Sequence, residues 1–584
     1  MKYTIEVLPY SKTITVEEDS ILADCLQEAD IDIRFDCNRS GLCGKCAVKI
    51  IEGNVPSPTN TERNLLSEDE LSDRFRLSCL LRVKGHLKIE VPESSRIHDQ
   101  LILKTGLQIP VQVNPPMKKF LLRLPKPTIA EPLSASDLIQ KTLKSSPLAI
   151  SPNVLKSLAE IMGKDSPIFS AVVYKDKELI SIEEGNTLDS CFGFVVDLGT
   201  TTLVVELIDL KTGKTLDTLA GENTQSEFGA DVVSRISFSL AKAENLRTLQ
   251  KTIVDKFNRM FKEILTRRKI AASSVYEIAL AGNTTMNHIL LGLPLRSLAQ
   301  APFNSLFSVI DELPARAVGF KIHPNGKLYL APNIQSFVGG DISAGLLASG
   351  LIDTKGKFMF IDLGTNGEIV LKTGETIVAT STAAGPAFEG MSISCGMLAL
   401  PGAISKIEKG EKPKISTLLD QPAKGICGTG LIDAIALFLD EGLISAQGKI
   451  ANAKKSVPIT GRIFLSQKDI REIQLAVAAI KTGRNMLLKR FSIDPLELDG
   501  LFIAGAFGNY LNVKNAIRIG LLPPLPGEKI HFIGNSSLAG AKALLISAPM
   551  HEEIKSLIQK IRFISLASDP EFQDYFVESL EFPP

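Results

Sequence analysis

The sequence predicts a multidomain chain: a small α+β domain, a linker, a small middle domain, and a large two-lobed α/β domain. Three observations carry this expectation. Short alternating apolar stretches surround a tight cysteine cluster in the first ninety or so positions. A proline-dense stretch follows, and the remainder is glycine-punctuated α/β sequence in which one strand-and-turn unit occurs twice.

Size and composition agree. The chain has 584 residues, with 65 Lys+Arg against 65 Asp+Glu, so it carries no net charge at pH 7. That length suits three or four domains, and 44% hydrophobic with 22% charged residues is the mix of a soluble globular protein. Zero net charge without a long basic block argues against a protein that neutralises nucleic-acid phosphates. No eighteen apolar residues run uninterrupted, so no membrane helix is expected, and the alternating start MKYTIEVLPYSKTITV lacks the apolar core of a signal peptide. The expected location is the cytoplasm. Eight cysteines in such a chain read better as ligands or reduced thiols than as a disulfide framework.

Residues 1–94 form the first expected domain. Tyr3, Ile5 and Val7 alternate to one side, Ile14 and Val16 continue after the Pro9-Tyr10-Ser11 turn, and Leu87, Ile89 and Val91 close the segment. Residues 20–26 read as a short helix capped by Asp19 or Ser20. Cys37, Cys43 and Cys46 lie within ten residues on a loop with Gly41 and Gly44, and Cys79 follows 33 residues later. The glycines let backbone amides approach sulfurs, which a negatively charged cluster requires. Three thiols on one loop with a distant fourth is the ligand pattern of a [2Fe–2S] centre; structural zinc is the alternative, although its usual sites use two CxxC-like pairs. The arrangement resembles a [2Fe–2S] ferredoxin domain with a β-grasp fold. Its first spacing is one residue longer than the plant-type pattern and closer to the adrenodoxin-like branch. Cys25 lies on the apolar side of the short helix and reads as a packed thiol.

Residues 95–132 hold Pro110, Pro115, Pro116, Pro125, Pro127 and Pro132 around one apolar stretch, Phe120-Leu121-Leu122. Prolines at that density favour extended chain, so a linker or an arm draped over a neighbour is expected. Residues 133–190 show two helical patterns and two strands around Lys175-Asp176-Lys177, a small middle domain without a recognisable chemical motif.

From 191 to 584 the pattern is α/β. Phe194-Val195-Val196-Asp197-Leu198-Gly199-Thr200-Thr201 is echoed 165 residues later by Phe360-Ile361-Asp362-Leu363-Gly364-Thr365-Asn366. A repeat of that length suggests two lobes of related build. Each unit has what a Mg-nucleotide needs: glycine for close approach of backbone to phosphate, hydroxyl donors, and an aspartate at a strand end that orients Mg²⁺ through water. A third string, Asp499 to Asn509, runs through an apolar strand into Gly505-Ala506-Phe507-Gly508, a turn suited to packing a purine. The three in order resemble the phosphate-1, phosphate-2 and adenosine motifs of the ASKHA (actin-like ATPase) superfamily. Further glycine-rich strings include those around Asp341 and Glu389, which read equally as orienters of water or magnesium and as caps and turn residues. Cys191, Cys395 and Cys427 read as reduced core or near-core thiols.

The whole chain resembles the reductive activators of corrinoid proteins. The resemblance implies an ATP-dependent iron–sulfur reductase that returns the Co(II) corrinoid of a partner methyl-carrier protein to Co(I). It implies a low-potential electron donor as second partner, and a homodimer is compatible with the sequence. It assigns the cluster to Cys37, Cys43, Cys46 and Cys79, and Mg-ATP to Asp197, Gly199, Thr200, Thr201, Asp362, Gly364, Thr365, Asn366, Gly505 and Gly508, with Asp197 and Asp362 as catalytic aspartates. A plant-type cluster sits at about −400 mV, so a lower-potential acceptor stays oxidised unless nucleotide-driven closure favours its reduction. Rival readings are an ATP-dependent activator of 2-hydroxyacyl-CoA dehydratases, which lacks a ferredoxin domain, and a redox-regulated chaperone-like ATPase. A flavin-linked NADH reductase is disfavoured because no strand–GxGxxG–helix unit occurs.

Overall fold

Alternation sets the first sheet of the computed structural model, which describes all residues except 1, 11, 30, 32, 34–45, 67, 93–94, 96–110, 124–132, 144–146, 163–167, 311, 411–412, 452–454, 506–510, 567–568 and 584. In β1 (Lys2–Leu8) Ile5 and Val7 are buried while Lys2 and Thr4 face water. β2 (Lys12–Glu17) pairs antiparallel with it, and β3 (Ala47–Glu52), β4 (Phe75–Leu77) and β5 (Leu87–Glu90) complete a sheet of order β2-β1-β5-β3-β4, in which β1 and β5 run parallel. Helix Leu22–Glu28 contributes Leu22, Ala23, Cys25 and Leu26 to the core beneath this sheet. This is the expected β-grasp domain.

A buried ion pair holds the β3–β4 connection. Glu62 caps its own helix by accepting from Thr59, and its carboxylate takes Arg76 Nε at 2.9 Å, Arg76 Nη2 at 2.8 Å and the Leu77 amide at 3.0 Å. Burial opposes ionisation of Glu62, but the Arg76 guanidinium and these amides outweigh it and lower its pKa. Breaking such a pair from one side is costly, so β4 is firmly placed.

The chain forms two compact units. The first comprises 1–100, 200–202 and 221–253, and the second comprises 101–199, 203–220 and 254–584.

In the second unit, β6 (Met117–Arg123), β7 (Ala149–Ile150), β8 (Ile168–Tyr174) and β9 (Glu178–Glu184) form a sheet of order β6-β8-β9-β7. Helices Ala135–Leu143 and Pro152–Met162 add Leu138, Ile139, Val154 and Leu158 to its core. Within the expected linker, the apolar stretch is extended chain laid against a neighbouring strand. Met117–Arg123 pairs antiparallel with β8 along its whole length. The physical reason is that the prolines flank this segment without interrupting it, so every amide of the ladder is present. Asn114 is anchored too: its amide donates to Ile546 O and its carbonyl accepts from Ala548 N, both at 2.8 Å.

Two larger sheets follow. The first contains β10 (Phe192–Leu198), β11 (Thr202–Asp209), β12 (Thr215–Glu222), β13 (Val275–Gly282), β14 (Leu313–Pro314) and β15 (Lys327–Leu330), in the order β12-β11-β10-β13-β15-β14. The second contains β16 (Lys357–Leu363), β17 (Gly367–Thr373) and β18 (Thr376–Thr382). After an insertion bearing β19 (Ala403–Glu408), β20 (Lys414–Thr417), β21 (Gly425–Ile426), β22 (Ser456–Thr460) and β23 (Ile463–Ser466), β24 (Gly500–Ala504), β25 (Ile530–Gly534) and β26 (Ile561–Phe563) complete the order β25-β24-β16-β17-β18-β26. In both, a central strand pairs antiparallel with the next and parallel with a later one: β10 with β11 and β13, β16 with β17 and β24. The repeat expected from Asp197 and Asp362 is thus a repeat of topology.

Helices Gly340–Ser349 and Ser536–Ile546 pack on each other, and the latter also packs on β10 and β13. Their backbones touch at Gly540, where a Cβ would lie 2.0 Å from Ala344 O. Only glycine permits that approach.

Candidate functional site

Two regions carry the expected chemistry. In the first unit, Cys46 immediately precedes β3 and Cys79 follows β4. Pairing of Ala47 with Leu77, and a 3.0 Å bond from the Ser78 amide to Cys46 O, bring these distant residues together. Their sulfurs lie 3.2 Å apart, and both are buried. That separation exceeds the ~2.05 Å of a disulfide and sets two soft donors side by side, as two ligands of one iron–sulfur cluster require. Cys37 and Cys43 lie outside the described residues. Cys25 is buried in the same core, and burial, helped by Glu28, raises its thiol pKa.

In the second unit the ends of the two central strands bring carboxylates together. Asp197, at the end of β10, accepts from Asn535 Nδ2 at 2.8 Å and Ser537 Oγ at 2.9 Å; burial raises its pKa while these bonds oppose the shift. Asp341 sits in the first turn of helix Gly340–Ser349, accepts from the Ile342 amide at 2.8 Å, and is pushed up to about 7 by burial and by the Asp197 charge. Asp362, near the end of β16, is pushed up to about 8 by burial and by the charges of Asp341, Asp197 and Glu389. Glu368 stands directly across the strand pair from Asp362 and is raised strongly by burial, Asp341 and Asp362, while the Asn366 side chain opposes the shift. Thr365 Oγ1 donates to both oxygens of Glu389, at 2.9 and 3.0 Å. Like charges crowded in a desolvated site raise one another's pKa, and a bound cation reverses that penalty. Among the described residues, no three acidic, His or Cys groups converge as direct ligands.

The remaining expected residues are placed as follows. Gly199 follows Asp197 beyond the strand end. Thr200 and Thr201 belong to the first unit, where their carbonyls accept from Arg235 Nη2 (2.6 Å) and the Asn223 amide (2.7 Å). The Gly364 amide donates to Asn366 O at 3.2 Å, closing the turn between β16 and β17. Gly505 has φ +101°, and a Cβ there would lie 2.6 Å from Leu363 O and 3.0 Å from Asp362 Oδ1. The third motif therefore packs onto the second through a position only glycine fills without strain. Gly508 lies outside the described residues.

Sequence reasoning missed Glu368, Asn535 and Ser537. Asn535 carries the one usable signal: it caps helix Ser536–Ile546 by accepting from Leu538 N at 2.9 Å, which frees its NH₂ for Asp197. Asp341 and Glu389, left open between structural and ion-orienting roles, both act electrostatically on Asp362. Cys191 and Cys427 are buried, with burial pushing Cys191 up to about 12; Cys395 is half-buried.

Sequence profiles of known families match four successive segments. They are a 2Fe-2S iron-sulfur cluster binding domain (residues 5–84), the RACo linker region (106–189), the RACo middle region (192–354), and the C-terminal domain of RACo, the ASKHA domain (356–584). The corrinoid activation enzyme RamQ of Eubacterium limosum is 29% identical over 600 residues, spanning 97% of each chain. The [Co(II) methylated amine-specific corrinoid protein] reductase of Methanosarcina barkeri is 29% identical over 425 residues, covering 67% of this chain and 77% of its own. A solved structure described as the reductive activator for corrinoid, iron-sulfur protein superposes with a TM-score of 0.76 at 31% identity, over 100% of this chain and 98% of that one. The chain belongs to the RACo family, related to corrinoid-protein activators and built from an N-terminal 2Fe-2S domain, a linker, a middle region and a C-terminal ASKHA domain.

Proposed function

We propose that the protein is an ATP-dependent reductive activator, passing one electron from a [2Fe–2S] centre to the Co(II) corrinoid of a partner methyl-carrier protein and restoring Co(I). The supporting observation is that one chain, similar along its full length to a reductive activator, holds both a convergent thiol pair and a carboxylate cluster at repeated strand ends. Cys46 and Cys79 would supply two cluster ligands, and Cys37 and Cys43 the others. The cluster, reduced by a low-potential donor, supplies a one-electron store.

Asp197, Asp341 and Asp362 would orient the water shell of Mg²⁺, with Asn535 and Ser537 fixing the Asp197 carboxylate. The turns at Gly199-Thr200-Thr201 and Gly364-Thr365-Asn366 would present amides and hydroxyls to phosphate oxygens, and the Gly505 and Gly508 turn would pack the purine. Nucleotide-dependent lobe closure would then favour the complex in which cobalt is easier to reduce.

Anaerobic mixing of reduced protein with a Co(II) corrinoid protein tests this reading, with and without Mg-ATP. Optical spectra should show cluster oxidation and Co(I) formation together, strongly promoted by Mg-ATP. Cys79→Ser should abolish both. Cobalt reduction that proceeds equally with Cys79→Ser, or equally without nucleotide, would sink the proposal.

A further inference from the structure

At the opposite end of the first lobe's sheet from Asp197, a cavity of about 480 Å³ opens in the second unit, lined by Lys175, Lys177, Lys327, Lys555, Tyr174 and His551 among others. Its size is that of a small-molecule site. Glu178, Glu312 and Glu552 complete its charged lining. Each is already engaged: Glu178 with Lys327 at 2.6 Å, Glu312 with Lys175, and Glu552 with Lys555 at 3.2 Å. Lys177 has no ion-pair partner among the described residues, so one positive charge is left over at the rim. Burial and the nearby Lys555 charge both push Lys175 towards its neutral form, which shows a crowded cationic wall.

Unpartnered groups lie beside that wall. His551 is 1% exposed; its Nε2 bonds Leu544 O at 2.9 Å, and its Nδ1 has no hydrogen-bond partner, the Glu312 carboxylate standing 3.9 Å away. Tyr329 stacks on its ring at 3.8 Å with its own hydroxyl buried and without a hydrogen-bond partner, and the buried Tyr174 hydroxyl faces Glu277. Fully buried Glu277 lies behind them, where the Tyr174 hydroxyl and the charges of Lys175 and Lys327 favour its ionised form against burial. Buried polar atoms left unpaired are rare, because each forfeits its hydration. Here they gather around one lysine-lined opening. The register makes this a property of the first lobe alone: Ala281 pairs with Asp197 and Ala504 with Asp362, so Glu277 corresponds to Gly500.

We propose that this cavity is a second ligand site, which takes a small multivalent oxyanion bearing phosphate or carboxylate groups and at least one O–H. The ammoniums of Lys177 and Lys555 would bind the anion's oxygens, the Tyr174 hydroxyl would donate to it, and His551 Nδ1 would accept its O–H. The site is separate from the Asp197–Asp362 carboxylates, and the inference does not rest on their role.

The test is calorimetric titration of the full-length, cluster-loaded protein with pyrophosphate and, separately, citrate, together with lysine-reactivity mapping by mass spectrometry. At least one anion should bind and should protect Lys177 and Lys555 from acylation. The double variant Lys177→Gln/Lys555→Gln should weaken that binding tenfold or more, and Tyr174→Phe should weaken it several-fold. A charge-matched control, Lys355→Gln/Lys468→Gln at exposed positions, should leave it unchanged. Binding of pyrophosphate alone assigns the site to phosphates, and binding of citrate alone to carboxylates. Absence of binding by both anions overturns the proposal. So does binding indifferent to Lys177→Gln/Lys555→Gln, or equal loss in the control. Anion held at the nucleotide motifs would survive both double variants and so cannot imitate the expected result.

Discussion

The two lobes share a strand order and differ in how they treat the aspartate at the strand end. Asp197 is met by two donors, Asn535 and Ser537, that arrive from 338 and 340 positions further along the chain. Asp362 accepts no hydrogen bond among the described residues; it faces other carboxylates and is pushed up to about 8. Behind these ends the contrast reverses. The first lobe buries Glu277 on β13, whereas at the matching position of β24 the second lobe has Gly500, where a Cβ would lie 2.9 Å from the Phe358 ring. A repeat of backbone topology therefore does not repeat electrostatics, because each lobe's polar partners come from elsewhere in the chain.

The largest expected effect tests what the lobes share. Asp197→Asn and Asp362→Asn should each cut Mg-ATP turnover by ~100-fold or more, followed as phosphate release, if both orient the metal–phosphate group. The visible spectrum of the cluster should be unchanged in both. Near-normal turnover in either variant would confine the nucleotide chemistry to one lobe.

Next is the packing of the third motif on the second. Gly505→Ala combines a positive φ with a 2.6 Å approach to Leu363 O, and should cost about 2–4 kcal/mol in denaturant unfolding. At Gly364 a Cβ would meet only Asn366 O at 3.5 Å, so Gly364→Ala should stay within about 0.5 kcal/mol. Equal costs would mean that the close approach at Gly505 is not what holds the motifs together.

Glu277 separates the lobes by pH. Its folded pKa, about 8, is raised above the ordinary value of 4.5, so the neutral carboxyl favours the fold. That contribution is fully present below the unfolded pKa and is lost as pH rises through the folded value. Burial is the cause; Lys175, Tyr174 and Lys327 oppose it. Between about pH 6 and about pH 8 the wild type should lose roughly 2 kcal/mol relative to Glu277→Gln in chemical denaturation. Parallel curves would show that burial does not govern this carboxyl.

The smallest effect is a difference of sign in metal-free protein. Asp362→Asn removes a carboxyl crowded by others and should raise stability by about 1 kcal/mol. Asp197→Asn disturbs two good hydrogen bonds and should lower it by about as much. Unfolding midpoints in EDTA decide this, and matching signs would erase the distinction between the aspartates.

How much could be read in advance depended on whether the cause was local. Asp197 and Asp362 announce themselves because a buried strand running into Asp-Leu-Gly-Thr is a contiguous pattern, and its recurrence marks two lobes. Glu368 gives no such sign: in sequence it is one glutamate at the start of a strand, and only pairing with Asp362 brings the two carboxylates together. For β6, the prolines on both sides showed extended chain, a linker or an arm, but not the partner; the intact amides between them let it pair with β8.

By itself the sequence determined the chemical inventory and the local geometry: four cysteines with their spacing, two strand–turn units, a glycine where φ must be positive, and the alternation that gives each strand a buried face. Those properties act over a few residues, where covalent geometry and side-chain periodicity dominate. Only the tertiary structure decided which groups meet. It set Cys46 and Cys79 at 3.2 Å through the β3–β4 register, supplied Asn535 and Ser537 to Asp197, and left the Tyr329 hydroxyl and His551 Nδ1 without hydrogen-bond partners by the lysine cavity. Desolvation and hydrogen bonding between side chains depend on proximity in space, and strand register and helix packing across hundreds of residues set that proximity.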